Sequence, residues 1–405
     1  MHTDYTEITG LLSKQMIPYV FFLIVIPVIV VLNIDITFSK VRRYLFSSIL
    51  IFVLSISFGV GVVYLKYSSI HRAANVSDKY IIHTLVPINY INSIGSALHK
   101  AMLAYYGKNK KEIVITGTVA SVEDLVVVLV VGEASRRKNF SLYGYERRDT
   151  NPVLSTVSGL HLLNGKARIG STLYALPEIL EKNEVKLPAI TSKLGIDTSC
   201  YVNFTLYDNC SSVGEVPVSN CGHGGACYDE DVIPLLSENL KSYQSGYRFV
   251  VLHLGGGSHG PTYKDRYPPE FQQFNPQCQD ADVLNKCTID ELYNSYDNTI
   301  TYVDYVLGKI IAELDHSKVP YVFIYISDHG ESLGEKGLIF HGMPPGIPLP
   351  PEQAQVPLIV KSSVPVSIEN RSEYEQQNIF DSVLDLFSIE TELVGKEGSF
   401  IKKQF

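Results

Sequence analysis

The chain has 405 residues, 45% of them apolar and 19% charged, with 34 Lys and Arg against 42 Asp and Glu for a formal charge of −8. That composition is globular rather than disordered, and the length allows two to three domains at about 150 residues each. The acidic excess argues against a polyanion-binding surface, so no nucleic-acid partner is expected.

Residues 16–32 (MIPYVFFLIVIPVIVVL) and 45–65 (LFSSILIFVLSISFGVGVVYL) are uncharged apolar runs. Each reaches the length of about 20 residues that crosses a bilayer. No basic segment precedes the first run and no small-residue cleavage site follows it, so both read as membrane helices of a domain spanning residues 1–66 rather than as a signal peptide. Lys40, Arg42 and Arg43 lie between them. The positive-inside rule puts that loop in the cytoplasm and everything after residue 66 across the membrane. Residues 67–115 carry Leu85, Ile88, Ile91, Ile94, Leu98 and Met102 at helical spacing and close on a charged linker. They read as amphipathic interfacial helices.

All six cysteines lie downstream of these segments, in three close pairs. An oxidising compartment and nearest-neighbour bridges are expected: Cys200 with Cys210, Cys221 with Cys227, Cys278 with Cys287.

Within residues 116–405, short continuous apolar runs recur at 125–131 (LVVVLVV), 249–254 (FVVLHL), 321–326 (YVFIYI) and 356–360 (VPLIV). Unbroken Val- and Ile-rich runs are expected of parallel strands covered on both faces. Helical segments alternate with them, the clearest at 289–314. The fold class expected is therefore α/β, a sandwich around a mostly parallel central sheet.

Three of the strands end in turns with chemical potential: Val131-Gly132-Glu133, Gly257-Ser258-His259-Gly260-Pro261, and Ser327-Asp328-His329-Gly330-Glu331-Ser332. Phe340-His341-Gly342-Met343-Pro344 adds a further histidine. Ligands in open α/β sheets collect at the carboxyl ends of strands, which predicts one shared rim. Carboxylates and imidazoles together are a ligand set for zinc, and Glu133, Asp328 and His329 supply three such ligands with room for another. A hydroxyl beside such an ion is offered by the Gly170-Ser171-Thr172 turn, where a helix N-terminus further favours an alkoxide and an incoming phosphate.

The segments from Val131 to Arg136 (VGEASR), from Asn139 to Arg147 (NFSLYGYER), from Ser327 to Glu335 (SDHGESLGE) and from His341 to Pro344 (HGMP) closely resemble the phosphoethanolamine transferases of Gram-negative bacteria. That family belongs to the alkaline phosphatase and sulfatase superfamily and includes the mobile colistin resistance enzymes. The resemblance implies an alkaline-phosphatase-like fold preceded by transmembrane helices. It implies a protein of the inner membrane with a periplasmic zinc-dependent domain, acting as a monomer. Its members move phosphoethanolamine from phosphatidylethanolamine to lipid A or another lipopolysaccharide sugar. Carried over by position, Glu133, Thr172, Asp328 and His329 hold one zinc, with a second possible, and Thr172 is the nucleophile that takes up phosphoethanolamine. His259 and His341 match positions that bind the phosphoryl group or a second zinc, with His253 near them, and Asn203 aligns with an asparagine that contacts the ethanolamine head.

Two features depart from the family. Members active on lipid A carry more membrane helices than the two read here. Many also clamp the nucleophile turn between cysteines, whereas this chain has Arg168 and Glu178 at the matching positions, which either leaves the turn less rigid or pairs two charges across it. The competing readings are a glycerophosphate-type transferase of the same superfamily and a catalytically impaired homologue. Sulfatase chemistry is disfavoured because no Cys-x-Pro-x-Arg or Ser-x-Pro-x-Arg sequence occurs.

Overall fold

The computed structural model describes residues 21–33, 49, 54, 115–204, 206–219, 227–256, 263, 266–280, 283–343, 348–392 and 398–404. The chain divides into two compact units, Leu12–Lys111 and Met1–Leu11 with Glu112–Phe405. In the first unit, Phe21–Val25 and Ile26–Asn33 are helical, with apolar side chains such as Phe22 and Leu32 exposed. Most of the second expected span and all of the expected interfacial helices lie outside the described residues. No helix among the described residues is long and apolar enough to cross a membrane.

In the second unit, an eight-stranded sheet is built from β1 (Leu125–Gly132), β2 (His161–Lys166), β3 (Asp197–Val202), β4 (Glu215–Pro217), β5 (Tyr247–His253), β6 (Tyr321–Ser327), β7 (Gln355–Ser362) and β8 (Tyr374–Glu375). Their order across the sheet is β8, β2, β7, β6, β1, β5, β3, β4. Every neighbouring pair is parallel except those made by β7, which runs antiparallel to both β6 and β2. The sheet is thus mostly parallel, as expected, but the 356–360 run corrects the expectation of a parallel strand. Its core residues Val356 to Val360 are fully buried between two layers, and burial on both faces erases alternation whichever way a strand points.

The side chains of β1 show how one strand serves two cores. Leu125, Val127, Leu129 and Val131 face α1 (Thr172–Leu180), α2 (Leu187–Lys193) and α5 (Gln377–Leu386). Val126, Val128 and Val130 face α3 (Val232–Lys241) and the long α4 (Ile289–Ser317). All seven are at most 1% exposed, and burying each contributes on the order of 1.5–3 kcal/mol.

Helix α4 starts where a capping box forms: Thr288 Oγ1 accepts from the Glu291 N–H (3.2 Å), and Glu291 Oε2 accepts from the Thr288 N–H (2.7 Å). This pairing satisfies two of the donors a helix start otherwise leaves open. It ends at Lys318, which takes the left-handed conformation at φ 58°. Two of the expected disulfides are present, Cys200–Cys210 and Cys278–Cys287, closing short loops beside β3 and ahead of α4. The third involves Cys221, outside the described residues. Thr288→Ala is expected to lower stability by about 1 kcal/mol through loss of the cap, seen as a fall in the thermal midpoint with activity unchanged.

Candidate metal centre

The parallel pairing of β1 with β6 sets Gly132 opposite Ser327, so the residues that follow each strand, Glu133 and Asp328, emerge side by side. Asp328 Oδ1 accepts from the N–H of Ala134 (2.9 Å) and from that of His329 (2.7 Å), which binds the two turns to each other. Thr172 opens α1 after Ser171, an extended N-cap residue whose side chain makes no cap. Its turn follows β2, whose carboxyl end lies on the same rim as those of β1 and β6.

These turns bring all four residues of the expected zinc set together. Thr172 Oγ1 donates to Glu133 Oε2 (3.0 Å) and lies 3.4 Å from His329 Nε2. His329 Nε2 is 3.5 Å from Glu133 Oε1 and 3.2 Å from Asp328 Oδ2. Glu133, Asp328 and His329 are fully buried, and Thr172 is 7% exposed.

The protonation pattern explains what such a cluster suits. His329 Nδ1 faces the Gly330 carbonyl at 3.0 Å. A carbonyl only accepts, so the proton sits on Nδ1 and Nε2 presents a lone pair inward. Burial pushes the His329 imidazole down to about 4, outweighing the nearby Asp328, so the ring is neutral. Asp328 Oδ2 is buried and accepts no hydrogen bond. Two carboxylates and a ring nitrogen thus converge in a buried site, an arrangement that costs free energy unless a cation is shared among them. Oxygen and imidazole donors of this kind fit zinc.

His341 approaches from a neighbouring loop. Donor atoms of Glu133, His329 and His341 all lie within 4.8 Å of one another, and the His329 and His341 rings are 4.3 Å apart. His341 Nδ1 donates to Glu331 Oε2 (2.6 Å), and the Tyr263 hydroxyl donates to Glu331 Oε1 (3.1 Å). Glu331 therefore orients His341 as the Gly330 carbonyl orients His329. Glu331 stands in a quoted motif, yet nothing in its spacing marks it as the partner of a histidine ten residues on.

Of the other expected site residues, His259 lies outside the described residues. His253 closes β5, fully buried, and donates from Nδ1 to the Phe204 carbonyl (2.7 Å). The Asn203 amide donates to Asp229 Oδ1 (2.8 Å), and Asp229 also accepts from the N–H groups of Gly255 and Gly256. Burial pushes the Asp229 carboxyl up from its usual range even with these three donors. Asn203 and the backbone at Gly255 and Gly256 thus share Asp229 as a common acceptor. Arg168 and Glu178 do not pair across the nucleophile turn: Arg168 lies 3.7 Å from Glu375, and Glu178 accepts from Gln377.

Much of the sequence from Arg136 to Arg147 fastens the rim to α4. Arg136, fully buried, donates through Nη1 to Glu335 Oε1 (2.7 Å) and to the Glu331 carbonyl (3.1 Å), and through Nε to Asn139. Asn139 and Tyr145 both donate to Asp297 on α4, at 2.6 and 2.8 Å. Burial raises the Asp297 carboxyl to about 6 despite those donors.

Residues 126–389 match the Sulfatase family model, and residues 1–102 match the model described as Phosphoethanolamine transferase EptA/EptB. Phosphoethanolamine transferase EptA of Escherichia coli K12 is 31% identical over 410 residues, which cover 87% of this chain and 70% of that protein. The chain belongs to the phosphoethanolamine transferase family. The EptA of Helicobacter pylori is 39% identical over 283 residues, 64% of this chain and 53% of that protein, so the chain spans about half the length of that relative. Among solved structures, the integral membrane lipooligosaccharide phosphoethanolamine transferase A of Neisseria meningitidis superposes with a TM-score of 0.82 at 25% identity, covering 98% of this chain and 79% of that one. The alkaline-phosphatase-like fold expected for a phosphoethanolamine transferase is the fold observed.

Zinc titrated into the metal-stripped full-length protein is expected to bind in near-stoichiometric amount. Asp328→Asn is expected to weaken that binding by at least about tenfold, since even indirect partners of metal ligands cost 10- to 100-fold, as read by competition with a chromogenic chelator.

Proposed function

We propose that this chain transfers phosphoethanolamine from phosphatidylethanolamine to lipid A or another lipopolysaccharide sugar, with Thr172 as the nucleophile. The observation that carries this reading is a buried threonine hydroxyl at the first residue of a helix, hydrogen-bonded to Glu133 and within 3.4 Å of His329. Family membership supports the reaction class. Kdo(2)-lipid A phosphoethanolamine 7''-transferase of Escherichia coli, 28% identical over 260 residues, supports lipopolysaccharide as the acceptor class.

In this reading Glu133, Thr172, Asp328 and His329 hold the zinc, and a divalent ion bound there supplies a lowered hydroxyl pKa and charge neutralisation at the phosphoryl oxygens. The residues of the chain do the rest. Glu133 Oε2, already the acceptor of the Thr172 hydroxyl, takes up its proton as Oγ1 bonds to phosphorus. The bond from phosphorus to the glycerol oxygen breaks, and diacylglycerol leaves as the alcohol with a proton given by His341 or His259. The first N–H groups of α1 favour the negative phosphoryl group beside Thr172. In the second half a sugar hydroxyl or phosphate of the acceptor attacks the same phosphorus, its proton passes to the same histidine, and Thr172 is released as the hydroxyl with the proton that Glu133 holds. His341, held by Glu331, and His259 stabilise charge on the transferred group, with His253 and Asn203 shaping the site behind it.

The same reading assigns residues 1–66 to two membrane helices in the inner membrane, residues 67–115 to interfacial helices and residues 116–405 to the periplasmic catalytic domain. Lipid donor and lipid acceptor both lie in or on that membrane, and confinement there raises their effective concentration.

The test is intact mass of the full-length protein and of Thr172→Ala after incubation with phosphatidylethanolamine. One phosphoethanolamine adduct is expected on the wild type alone, absent after chelation. An adduct on Thr172→Ala, or none on zinc-loaded wild type, overturns the assignment of the nucleophile and donor. A nitrogen-free adduct from mixed lipids would instead indicate glycerophosphate transfer. In cells expressing the protein, lipid A is expected to gain the mass of one phosphoethanolamine; unchanged lipid A with a modified core oligosaccharide would move the acceptor to a core sugar.

A further inference from the structure

The antiparallel course of β7 in the eight-stranded sheet has a consequence for the site. The other strands around it reach the catalytic rim with their carboxyl ends, whereas β7 reaches it with its amino end, so the residues that precede β7 are carried to the rim. These form a short helical turn, Pro351–Ala354. Its Gln353 is 2% exposed and touches loops that bear site residues. Gln353 Nε2 donates to Ser332 Oγ (2.9 Å) and to the Phe340 carbonyl (3.0 Å), and the Gln353 backbone carbonyl accepts from the Gly330 N–H (2.8 Å).

The third loop is that of the nucleophile. Because the Phe340 carbonyl can only accept, the Gln353 amide nitrogen is fixed on that side and Oε1 turns toward Gly170. A side chain at Gly170 would put its first carbon 2.9 Å from that oxygen. Oε1 itself is buried and accepts no hydrogen bond. The Gly342 N–H donates to the Gly170 carbonyl at 2.6 Å, so the loop of His341 and the turn of Thr172 are joined directly beside Gln353. Phe340, immediately before His341, is in the left-handed region at φ 66°. A non-glycine residue holds that conformation only where its surroundings impose it, and the Gln353 amide is the donor that grips its carbonyl.

We infer that Gln353 is a positioning residue that sets His341 against Thr172 and the Glu133–His329 pair, without itself touching substrate. This rests on the reading of the site as a phosphoethanolamine transfer centre using Thr172 and His341. Two variants separate this role from bulk stability. Gln353→Met keeps the volume and removes the polar grip. Gln353→Glu keeps the shape but removes the Nε2 donor that both Ser332 Oγ and the Phe340 carbonyl receive.

The measurement is the rate of adduct formation and of transfer to acceptor lipid by full-length protein, together with zinc content and thermal midpoint. Both variants are expected to bind zinc stoichiometrically and to lose about 10- to 100-fold in turnover, the scale set by a misplacement of about 1 Å, with KM for phosphatidylethanolamine within about twofold. The decisive arm is a double-mutant cycle with His341→Ala. If Gln353 acts through His341, Gln353→Met on the His341→Ala background costs no further activity; a merely structural role gives losses that multiply. Multiplying losses, a raised KM with unchanged kcat, or failure of both variants to accumulate as folded protein overturns the inference. Failure of the underlying reading looks different: wild type forms no adduct, or His341→Ala is as active as wild type.

Discussion

The ladder between Leu125–Gly132 and Tyr321–Ser327 is the constraint on which the rest of the site depends. It is a run of parallel backbone pairs with both faces buried, so a slip of one residue would turn every side chain into the opposite core, where the packing is shaped for another. Because the register ends with Gly132 opposite Ser327, two carboxylates are delivered side by side at the same level. Asp328 Oδ1 then spends its lone pairs on backbone N–H groups of both turns, leaving Oδ2 inward. The site is a consequence of strand pairing first and of side-chain chemistry second.

Holding buried carboxylates at such a rim requires a rigid surround. Arg136 and Asn139 extend from the first turn toward Glu335 and Asp297, and the Tyr296 hydroxyl both accepts from the Arg136 N–H and donates to the Ala134 carbonyl, each at 2.8 Å. Ala134 itself has φ 48°, the left-handed region. Gly330 is the other close approach: an added Cβ would lie 2.2 Å from the Glu352 carbonyl, so the turn after His329 packs directly on the segment that precedes β7. Buried polar networks of this kind are stable only when nearly every member has a partner, and here the partners come from α4 and from the turn that carries Glu335.

The two histidines of the site are treated alike. Each gives its Nδ1 proton to an oxygen of the loop, a backbone carbonyl for His329 and the Glu331 carboxylate for His341. That choice of tautomer directs Nε2 toward the centre and fixes the ring plane. It also explains why a loop dense in glycine and charge can hold a precise geometry: the freedom of the backbone is removed by side chains anchored elsewhere.

The assignment of Thr172 to the site rested on the family resemblance, whereas the sequence by itself determined the α/β class, the strand cores, the long helix, two disulfides and the convergence of Glu133, Asp328 and His329. These are legible because they follow from local rules: apolar runs, helical period, short cysteine loops and chemistry placed at strand ends. Tertiary structure alone decided the direction of the 355–362 strand, since a strand buried on both faces has the same pattern in either sense. It therefore also decided that Gln353 belongs to the site. The same holds for the Glu331–His341 pair, for the anchoring of Asn203 by Asp229, and for the separation of Arg168 from Glu178. Each is a contact between side chains whose meeting depends on how loops fold back over the rim, and no periodicity along the chain encodes that.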